Sequence, residues 1–308
     1  MGFQLRERDG RVHFSLAKMM SVSPAHARHA AENKREATPA MRRGTAIDRL
    51  VFGGSLVKCA VGRETKVWAA IELICAGADY AVCDAGNRNA AKYKDMAQVE
   101  RRPIVLDAEH QAAIDILGPR KPRLDEIVTP EEFDLADGAA ASVLSDPVVR
   151  DLGLLKGEQQ RVIHWDMHGL PWAAGIAGEG GRGGFDVLGE DFIADLKATP
   201  CTEPIQWSRQ ARRMLYVEQL AAYREGARAI GRDTKRHYLI GVEVKPPFVV
   251  TVLEVPEKDL DEAARNVQAW CDKIRACESS GNWPGYTQAA WPLEPKSVWD
   301  QAEEAEAS

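Results

Sequence analysis

The sequence lacks the segments by which proteins enter or cross membranes. No run approaches the roughly 18 apolar residues that a transmembrane helix needs. The first ten residues alternate charged side chains where a signal peptide would have an apolar stretch. We therefore expect a cytoplasmic protein with no membrane partner.

Common metal and redox motifs are also missing. The six cysteines form no C-x-x-C pair, which argues against a zinc ribbon, and disulfides are not expected in a reducing compartment. The histidines are scattered and show no H-E-x-x-H spacing. Residues 178–183 fit the letters of the G-x-G-x-x-G dinucleotide motif, but they lead into a strand and not into a helix. A Rossmann oxidoreductase is therefore a poor fit.

An excess of positive charge is absent as well. The chain carries 40 Lys and Arg against 46 Asp and Glu, a net charge of −6, whereas nucleic-acid-binding domains are usually basic. Asp300, Glu303, Glu304 and Glu306 supply −4 of this within the last eleven residues. We expect residues 299–308 to form a solvated acidic tail. A self-inhibitory DNA mimic or a partner-binding tail is the alternative.

Basic residues nevertheless cluster along the chain. Such clusters neutralise backbone phosphates without reading bases, which gives sequence-independent, salt-sensitive DNA binding. For any single arginine, the alternative is a solvated helix face or an i,i+4 ion pair with Glu218 or Glu225. The clusters are Arg42 and Arg43; Arg101 and Arg102; Arg209, Arg212 and Arg213; and Arg224, Arg228, Arg232, Lys235 and Arg236, with Arg182 as a further candidate in loop 178–183.

A β-hairpin predicted over residues 184–197 carries the most informative pattern. Five apolar residues alternate at period two and define one face of the hairpin. The other face carries Asp186, Asp195 and Lys197. The apolar residues are Phe185, Val187, Phe192, Ala194 and Leu196.

The register of this hairpin predicts a metal site beside a phosphate. A two-residue turn at Glu190 and Asp191 would set Asp186 opposite Asp195, with Cβ atoms roughly 4.5 to 5.5 Å apart. Facing carboxylates destabilise a hairpin, and a bound divalent cation would turn that repulsion into attraction. Hard oxygen ligands suit Mg²⁺, with Mn²⁺ as the alternative. An ordinary surface hairpin explains these residues about equally well.

Further motifs follow in an order that resembles one family over nearly the whole chain. Residues 184–197 are similar to the core of the PD-(D/E)xK nuclease superfamily. The closest likeness is to the RecE-like and phage exonuclease branch, related to lambda exonuclease. Each motif is weak by itself, and their common order makes the resemblance specific. The matched segments are residues 41–48, 157–158, 184–186, 195–197, 219–223, 242–248 and 282–286.

The resemblance implies a role for each matched residue. Asp186, Asp195 and Glu158 would coordinate the metal, with Asp48 completing the shell. Lys197 would orient the attacking water and offset charge on the phosphate. Tyr216 shares a helix face with the candidate substrate contacts Gln219 and Tyr223, and we interpret it as core. The other candidate substrate contacts are Arg42, Arg43, Thr45, Arg182 and Arg212.

Asp48 departs from the resembled family, which usually has His at this position. Asp keeps a hard oxygen donor there, but the site becomes more acidic, so either one or two metals would fit. Some relatives hold an iron–sulfur cluster with one early and three closely spaced late cysteines. Only Cys271 and Cys277 follow Cys201, so we expect no iron–sulfur cluster and interpret the thiols as reduced and mostly buried.

The resemblance implies Mg²⁺-dependent exonucleolytic hydrolysis of linear double-stranded DNA in phage-type recombination. It also implies a single-strand annealing partner and a homo-oligomer. Three alternatives remain. An endonuclease of the same superfamily would share this core. A catalytically weak DNA-binding accessory protein is favoured by Asp48 and disfavoured by the other acidic residues and Lys197. A structural protein with a coincidental hairpin would bind no magnesium.

The periodicity predicts an α/β fold with a central mixed β-sheet flanked by helices, the restriction-endonuclease-like architecture that the resemblance also implies. We expect one domain over residues 1–298, with a helical elaboration around residues 60–150. Strands are predicted at 161–165, 172–178, 185–188, 192–198, 237–244 and 248–255. Helices are predicted at 15–20, 24–33, 39–52, 107–117, 130–144, 208–230 and 260–276.

Overall fold

A computed structural model describes residues 3–7, 9–33, 37–83, 103–119, 122–175 and 184–286. The strands are β1 Val12–His13, β2 Val57–Lys58, β3 Ala81–Cys83, β4 Ile104–Leu106, β5 Ile127–Val128, β6 Glu158–Arg161, β7 Ile163–Met167, β8 Leu170–Ala174, β9 Phe185–Leu188, β10 Phe192–Thr199, β11 Arg236–Glu243 and β12 Val250–Glu254. The α-helices are α1 Phe14–Ala17, α2 Pro24–Glu32, α3 Pro39–Val51, α4 Lys66–Ala76, α5 Asp107–Leu117, α6 Pro130–Ser145, α7 Pro147–Asp151, α8 Pro204–Arg213, α9 Tyr216–Ala229 and α10 Glu257–Ser280.

A five-stranded sheet forms the centre of the fold. Its strand order is β12-β11-β10-β9-β6. β10 and β11 run parallel, and the other neighbouring pairs run antiparallel. A separate three-stranded sheet has the order β1-β8-β7. The predicted α/β class, a mixed sheet flanked by helices, is confirmed.

The two faces of the central sheet bury different sets of helices. One face packs against α9 and α10, and Ile193 and Leu239 contribute to that core. The other face packs against α3 and α6, and Ala194 and Leu196 contribute to that core. Because neighbouring residues of a strand point to opposite faces, β10 belongs to both cores. Asp195 and Lys197 lie two and four residues after Ile193 on β10, so their side chains point to the same face as Ile193, toward α9.

The hairpin of β9 and β10 has the predicted register. Val187 pairs with Ala194 and Leu188 with Ile193, and the Gly189 N–H donates to the carbonyl of Phe192 at 2.9 Å. The turn therefore contains only Glu190 and Asp191, as expected. A side chain at Gly189 would overlap the Phe192 ring, so glycine is required where this turn closes.

Residues between α3 and α6 form a satellite region with its own small core. α4, β4 and α5 contribute Trp68, Ile71, Val105 and Leu117 to it. The sequence also placed α6 in the elaboration. In the structure α6 packs against α3 in the core on one face of the central sheet. The expectation of a single domain over residues 1–298 stays a prediction.

Two predicted elements are divided in the structure. The helix predicted over residues 208–230 breaks into α8 and α9, because Leu215 adopts a left-handed conformation with φ of 62°. The strand predicted over residues 161–165 is divided between β6 and β7. Neither break has a proline or glycine to mark it in the sequence. By contrast, the caps at Ser23 and before Pro39 follow the usual rules and begin α2 and α3.

Some predictions concern residues outside the described part of the chain. These are loop 178–183 with Arg182, the pair Arg101 and Arg102, and the acidic tail at 299–308. Within the described part, no helix combines the length and apolar character needed to cross a bilayer.

His237 gives the fold a defined acid sensitivity. Its ring is 2% exposed and lies 3.0 Å from the Thr234 hydroxyl. Burial, reinforced by Arg224 and Arg228, lowers its pKa to about 4. An unfolded chain binds this proton near pH 6.5, so the stability that the neutral ring contributes is complete above that pH and is lost as the pH falls to about 4.

We expect the wild type to lose roughly 3 kcal/mol more free energy of unfolding than His237→Gln between pH 6.5 and 4. Urea denaturation followed by circular dichroism at both pH values measures this difference. His164 is exposed, and His164→Gln serves as the matched control, which should follow the wild type. Parallel pH profiles for wild type and His237→Gln would contradict the assignment.

Candidate active site

β10 presents the central ion pair of the site. Asp195 is 2% exposed and its carboxylate contacts the Lys197 ammonium. The Lys197 Nζ also lies 5.0 Å from the ring centroid of Tyr216 at the start of α9, within the range of a cation–π contact. Tyr216, which the sequence analysis placed in the core, is therefore part of the surroundings of the lysine.

Asp186 on β9 is held at both carboxylate oxygens. Its Oδ1 accepts from the Gln160 side chain and its Oδ2 accepts from the Leu196 N–H, each at 2.8 Å. The main-chain pairing of β9 with β10 ends at Val187 and Ala194. Beyond that point the Leu196 N–H donates to the side-chain carboxylate of Asp186 and not to a main-chain carbonyl. Asp186 and Asp195 thus lie together at the end of the hairpin ladder.

The electrostatics of the cluster favour an additional positive charge. Burial and then Asp195 raise the pKa of Asp186 to about 7, against the opposing effects of Lys197, the Leu196 N–H and Gln160. Burial and then Asp186 raise the pKa of Asp48 well above its usual range. Burial acts to lower the pKa of Lys197, but Asp195 and Asp186 outweigh it, and the pKa is raised. The lysine is a cation, and the carboxylates repel one another.

α9 contributes an amide and a phenol. The Gln219 Nε2 lies 3.4 Å from Asp195 Oδ1 and 2.9 Å from the Tyr223 hydroxyl. The Tyr223 ring stacks on Phe185 with centroids 4.5 Å apart. Phe185 was expected on the face of Val187. That prediction is wrong because Phe185 is the first residue of β9 and packs toward α9.

α3 covers the opposite side of β10. A Cβ on Gly44 would lie 3.9 Å from the Cβ of Ala198, and Asp48 lies one turn further along the helix. The contribution of Asp186, Lys197 and Asp195 to the pKa of Asp48 places this carboxylate near the cluster. The Thr45 hydroxyl donates to the Met41 carbonyl at 3.0 Å, so its observed bond lies within its own helix.

Glu158 is a predicted metal ligand that the structure does not bring to the cluster. Its carboxylate contacts Arg161 and lies 2.8 Å from Arg232. Gln160, two residues later on the same strand, reaches Asp186 instead. Sequence reasoning missed Gln160 because it followed the motif to Glu158, although Gln160 has the same parity and lies across from Asp186 in the β6–β9 register.

Most of the predicted phosphate-binding arginines are held in ion pairs. Arg212 lies 2.6 Å from Asp259, and Arg42 contacts the Ala37 carbonyl at 2.7 Å and Glu132 at 3.8 Å. Among the described residues, Arg43, Arg209 and Arg213 have no ion-pair partner. The other paired arginines are Arg224 with Asp261, Arg228 with Glu225, Arg232 with Glu158 and Arg236 with Asp191.

The donor chemistry fits a hard divalent cation. Asp186 and Asp195 supply carboxylate oxygens, and the buried Asp195 Oδ2 is the atom that contacts the Lys197 ammonium. The described residues hold no cluster of three or more His, Cys, Asp or Glu side chains in metal-binding geometry. In proteins Mg²⁺ usually keeps several water ligands and binds one or two carboxylates. Asp186 and Asp195, with Asp48 nearby and water completing the coordination, match that preference.

Removing the Lys197 ammonium should leave a buried charge unpaired. In metal-free buffer we expect Lys197→Met to lower the free energy of unfolding by about 3 to 5 kcal/mol, because Asp195 loses its counter-ion in an apolar environment. The double variant Asp195→Asn with Lys197→Met should recover at least half of that loss. Urea denaturation of the wild type, both single variants and the double variant measures the coupling.

Lys58→Met is the matched control for this cycle. Lys58 forms an exposed pair with Asp134 at 3.1 Å, and exposed pairs contribute about 1 kcal/mol or less. Equal losses for Lys58→Met and Lys197→Met would show that the buried pair has no special role in stability.

Comparison with known proteins identifies the family of this chain. A family model described as a PDDEXK-like domain of unknown function, DUF3799, matches residues 13–291. No curated protein matches the chain. A solved "Putative exonuclease" from Eubacterium rectale has 12% identity over 96% of this chain and 93% of its own, with a TM-score of 0.48. The predicted PD-(D/E)xK resemblance is confirmed, and the chain belongs to the DUF3799 family of PDDEXK-like domains.

Proposed function

We propose that this chain is a Mg²⁺-dependent DNA exonuclease that hydrolyses phosphodiester bonds of linear double-stranded DNA. The single observation that carries the proposal is the grouping of the buried Asp186 and Asp195 with the partly buried Lys197 at the end of the β9–β10 ladder. Two repelling carboxylates beside one protonated lysine are poorly suited to stabilising the protein in the absence of a ligand. They are well suited to a cation and a phosphate.

Asp186 and Asp195 would hold the metal, with Asp48 contributing directly or through water. When bound, Mg²⁺ would supply Lewis-acid stabilisation of charge on the phosphate and a more acidic water. Mn²⁺ has the same preference for oxygen ligands and is the alternative. Glu158 forms ion pairs with Arg161 and Arg232. It could coordinate the metal only if those pairs rearranged.

Lys197 would act by its charge and position. Asp195 and Asp186 raise its pKa, so the ammonium keeps its proton at neutral pH unless a bound metal balances these carboxylates, which favours an electrostatic and orienting role over that of a general base. It can donate hydrogen bonds to a phosphate oxygen and to the attacking water. Gln219 would fix the Asp195 carboxylate, and Tyr223 would fix Gln219, which keeps this part of the site rigid.

The DNA backbone would run between α3 and α8. Gly44 of α3 faces Ala198, and Gln210 of α8 bonds to Thr199 at 3.0 Å, so both helices border the end of β10 just beyond Lys197. Arg43, Arg209 and Arg213 lie on these helices without ion-pair partners in the described part of the chain. Arg228 and Arg236 are already paired, which makes them weaker phosphate contacts.

The wider biological setting rests on the likeness to phage exonucleases. It supports a role in phage-type recombination, a homo-oligomer and a single-strand annealing partner. An endonuclease of the same superfamily is the second candidate, because the same carboxylates and lysine would serve it. A DNA-binding accessory protein with weak catalysis is favoured only by Asp48.

Digestion of labelled DNA tests whether the chain cleaves DNA and whether cleavage requires a DNA end. We expect the wild type with Mg²⁺ to degrade end-labelled linear duplex and to spare covalently closed circles. Asp195→Asn should lose at least about a hundredfold in rate, since it removes a charged ligand with little change in shape. Gel electrophoresis of both substrates over time provides the measurement.

Asp233→Asn is the matched control, because Asp233 is an exposed carboxylate that pairs only with Lys235 among the described residues. It should retain wild-type activity. Cleavage of circles would assign an endonuclease. The absence of metal-dependent cleavage of either substrate would overturn the proposal in favour of the accessory protein.

Salt-dependent binding tests the proposed DNA path. With Ca²⁺ replacing Mg²⁺ to prevent hydrolysis, fluorescence anisotropy of a labelled duplex gives the slope of log K against log salt. Arg209→Ala with Arg213→Ala should reduce the magnitude of that slope by about 1.8, because each lost phosphate contact removes about 0.9.

A charge-matched control separates this effect from a change in net charge. Arg228→Ala with Arg275→Ala removes two arginines that pair with Glu225 and Asp272 on their own helices. We expect its slope to match that of the wild type. Equal reductions in both double variants would show that DNA binding does not follow the α3–α8 path.

A further inference from the structure

Gln160 interrupts an otherwise regular strand. In β6, Gln159 pairs with Val187 and Arg161 pairs with Phe185. Gln160 lies between them with a φ of 49°, a left-handed backbone conformation that non-glycine residues rarely adopt. Unfavourable backbone conformations persist where the surroundings enforce them, and they are concentrated at functional sites.

The contact made by the Gln160 side chain explains what the distortion achieves. Its Nε2 donates to Asp186 Oδ1 at 2.8 Å. The Leu196 N–H occupies Oδ2 at 2.8 Å, so the two bonds fix the rotation of the carboxylate.

A glycine on the neighbouring strand makes room for the distortion. A Cβ on Gly184 would lie 2.3 Å from the Arg161 carbonyl oxygen and 2.9 Å from the Gln160 carbonyl carbon. Both contacts are with backbone, which cannot move aside as a flexible side chain could. Gly184 therefore allows β6 to approach the start of β9 closely, two residues before Asp186.

We propose that Gln160 is a positioning residue that holds Asp186 in the orientation required for metal binding. The amide steadies the carboxylate without adding a negative charge to a site that already holds Asp48, Asp186 and Asp195. Glu158 on the same strand is turned away to Arg161 and Arg232, so β6 supplies a neutral donor at this point. The inference rests on the proposed metal-dependent function.

Gln160→Gly separates the hydrogen bond from the backbone conformation. Glycine adopts a positive φ freely, so the fold should keep or gain thermal stability in EDTA while the donor to Asp186 is lost. We expect the affinity for Mn²⁺, measured by isothermal titration calorimetry, to fall about tenfold or more, the usual effect of removing a hydrogen bond to a metal ligand.

Gln159→Gly is the matched control. Gln159 is exposed and bonds only to the Leu155 carbonyl at 2.9 Å among the described residues, so its variant should keep wild-type Mn²⁺ affinity. Gln160→Asn is the second test variant, because asparagine tolerates a positive φ but its amide is one methylene shorter. Gln160→Asn should lose Mn²⁺ affinity as Gln160→Gly does. If Gln160→Gly does not fold, Gln160→Asn alone tests whether Gln160 positions Asp186.

Mn²⁺ affinity within twofold of the wild type in the folded Gln160 variants would overturn the assignment. An equal loss of affinity in Gln159→Gly would overturn it too, because the effect would then belong to the whole strand. If the wild type itself binds no Mn²⁺ in the titration, the proposed metal-dependent function fails. That result is distinct from a loss confined to the Gln160 variants.

Discussion

The burial of two carboxylates beside one ammonium is the constraint on which the rest of the structure depends. Charges removed from water are unfavourable unless they are paired and hydrogen-bonded. Each oxygen of Asp186 has a donor, and Asp195 has Lys197 and Gln219. Elements from β6, β9, β10 and α9 must therefore be placed together, and the mixed sheet provides the frame that does so.

The hairpin could be predicted from sequence because its information is local. Alternation and a two-residue turn fix the register of β9 and β10, and a slip of one residue would turn every side chain to the other face. The sequence pattern was therefore sufficient to assign the two acidic residues and Lys197 to one face. The helix positions of Gln219 and Tyr223 followed from spacing within a single helix in the same way.

The rest of the site could not be predicted because its causes are not local. Gln160 contacts Asp186 from a left-handed backbone position, beside Gly184, where an added side chain would overlap β6. Leu215 divides a helix whose sequence pattern is continuous, and that break sets Tyr216 against Lys197. The pairing of Glu158 with Arg232 joins residues 74 apart in the chain, which neither periodicity nor motif spacing encodes.

The satellite core between α3 and α6 packs separately from the residues of the candidate site. Trp68, Ile71 and Leu117 pack among themselves, while the residues of the candidate site belong to the central sheet and its helices. Arg49 of α3 connects the two regions through Asp125 and Glu126. We therefore expect local opening of the satellite region to leave the cluster of Asp186, Asp195 and Lys197 assembled.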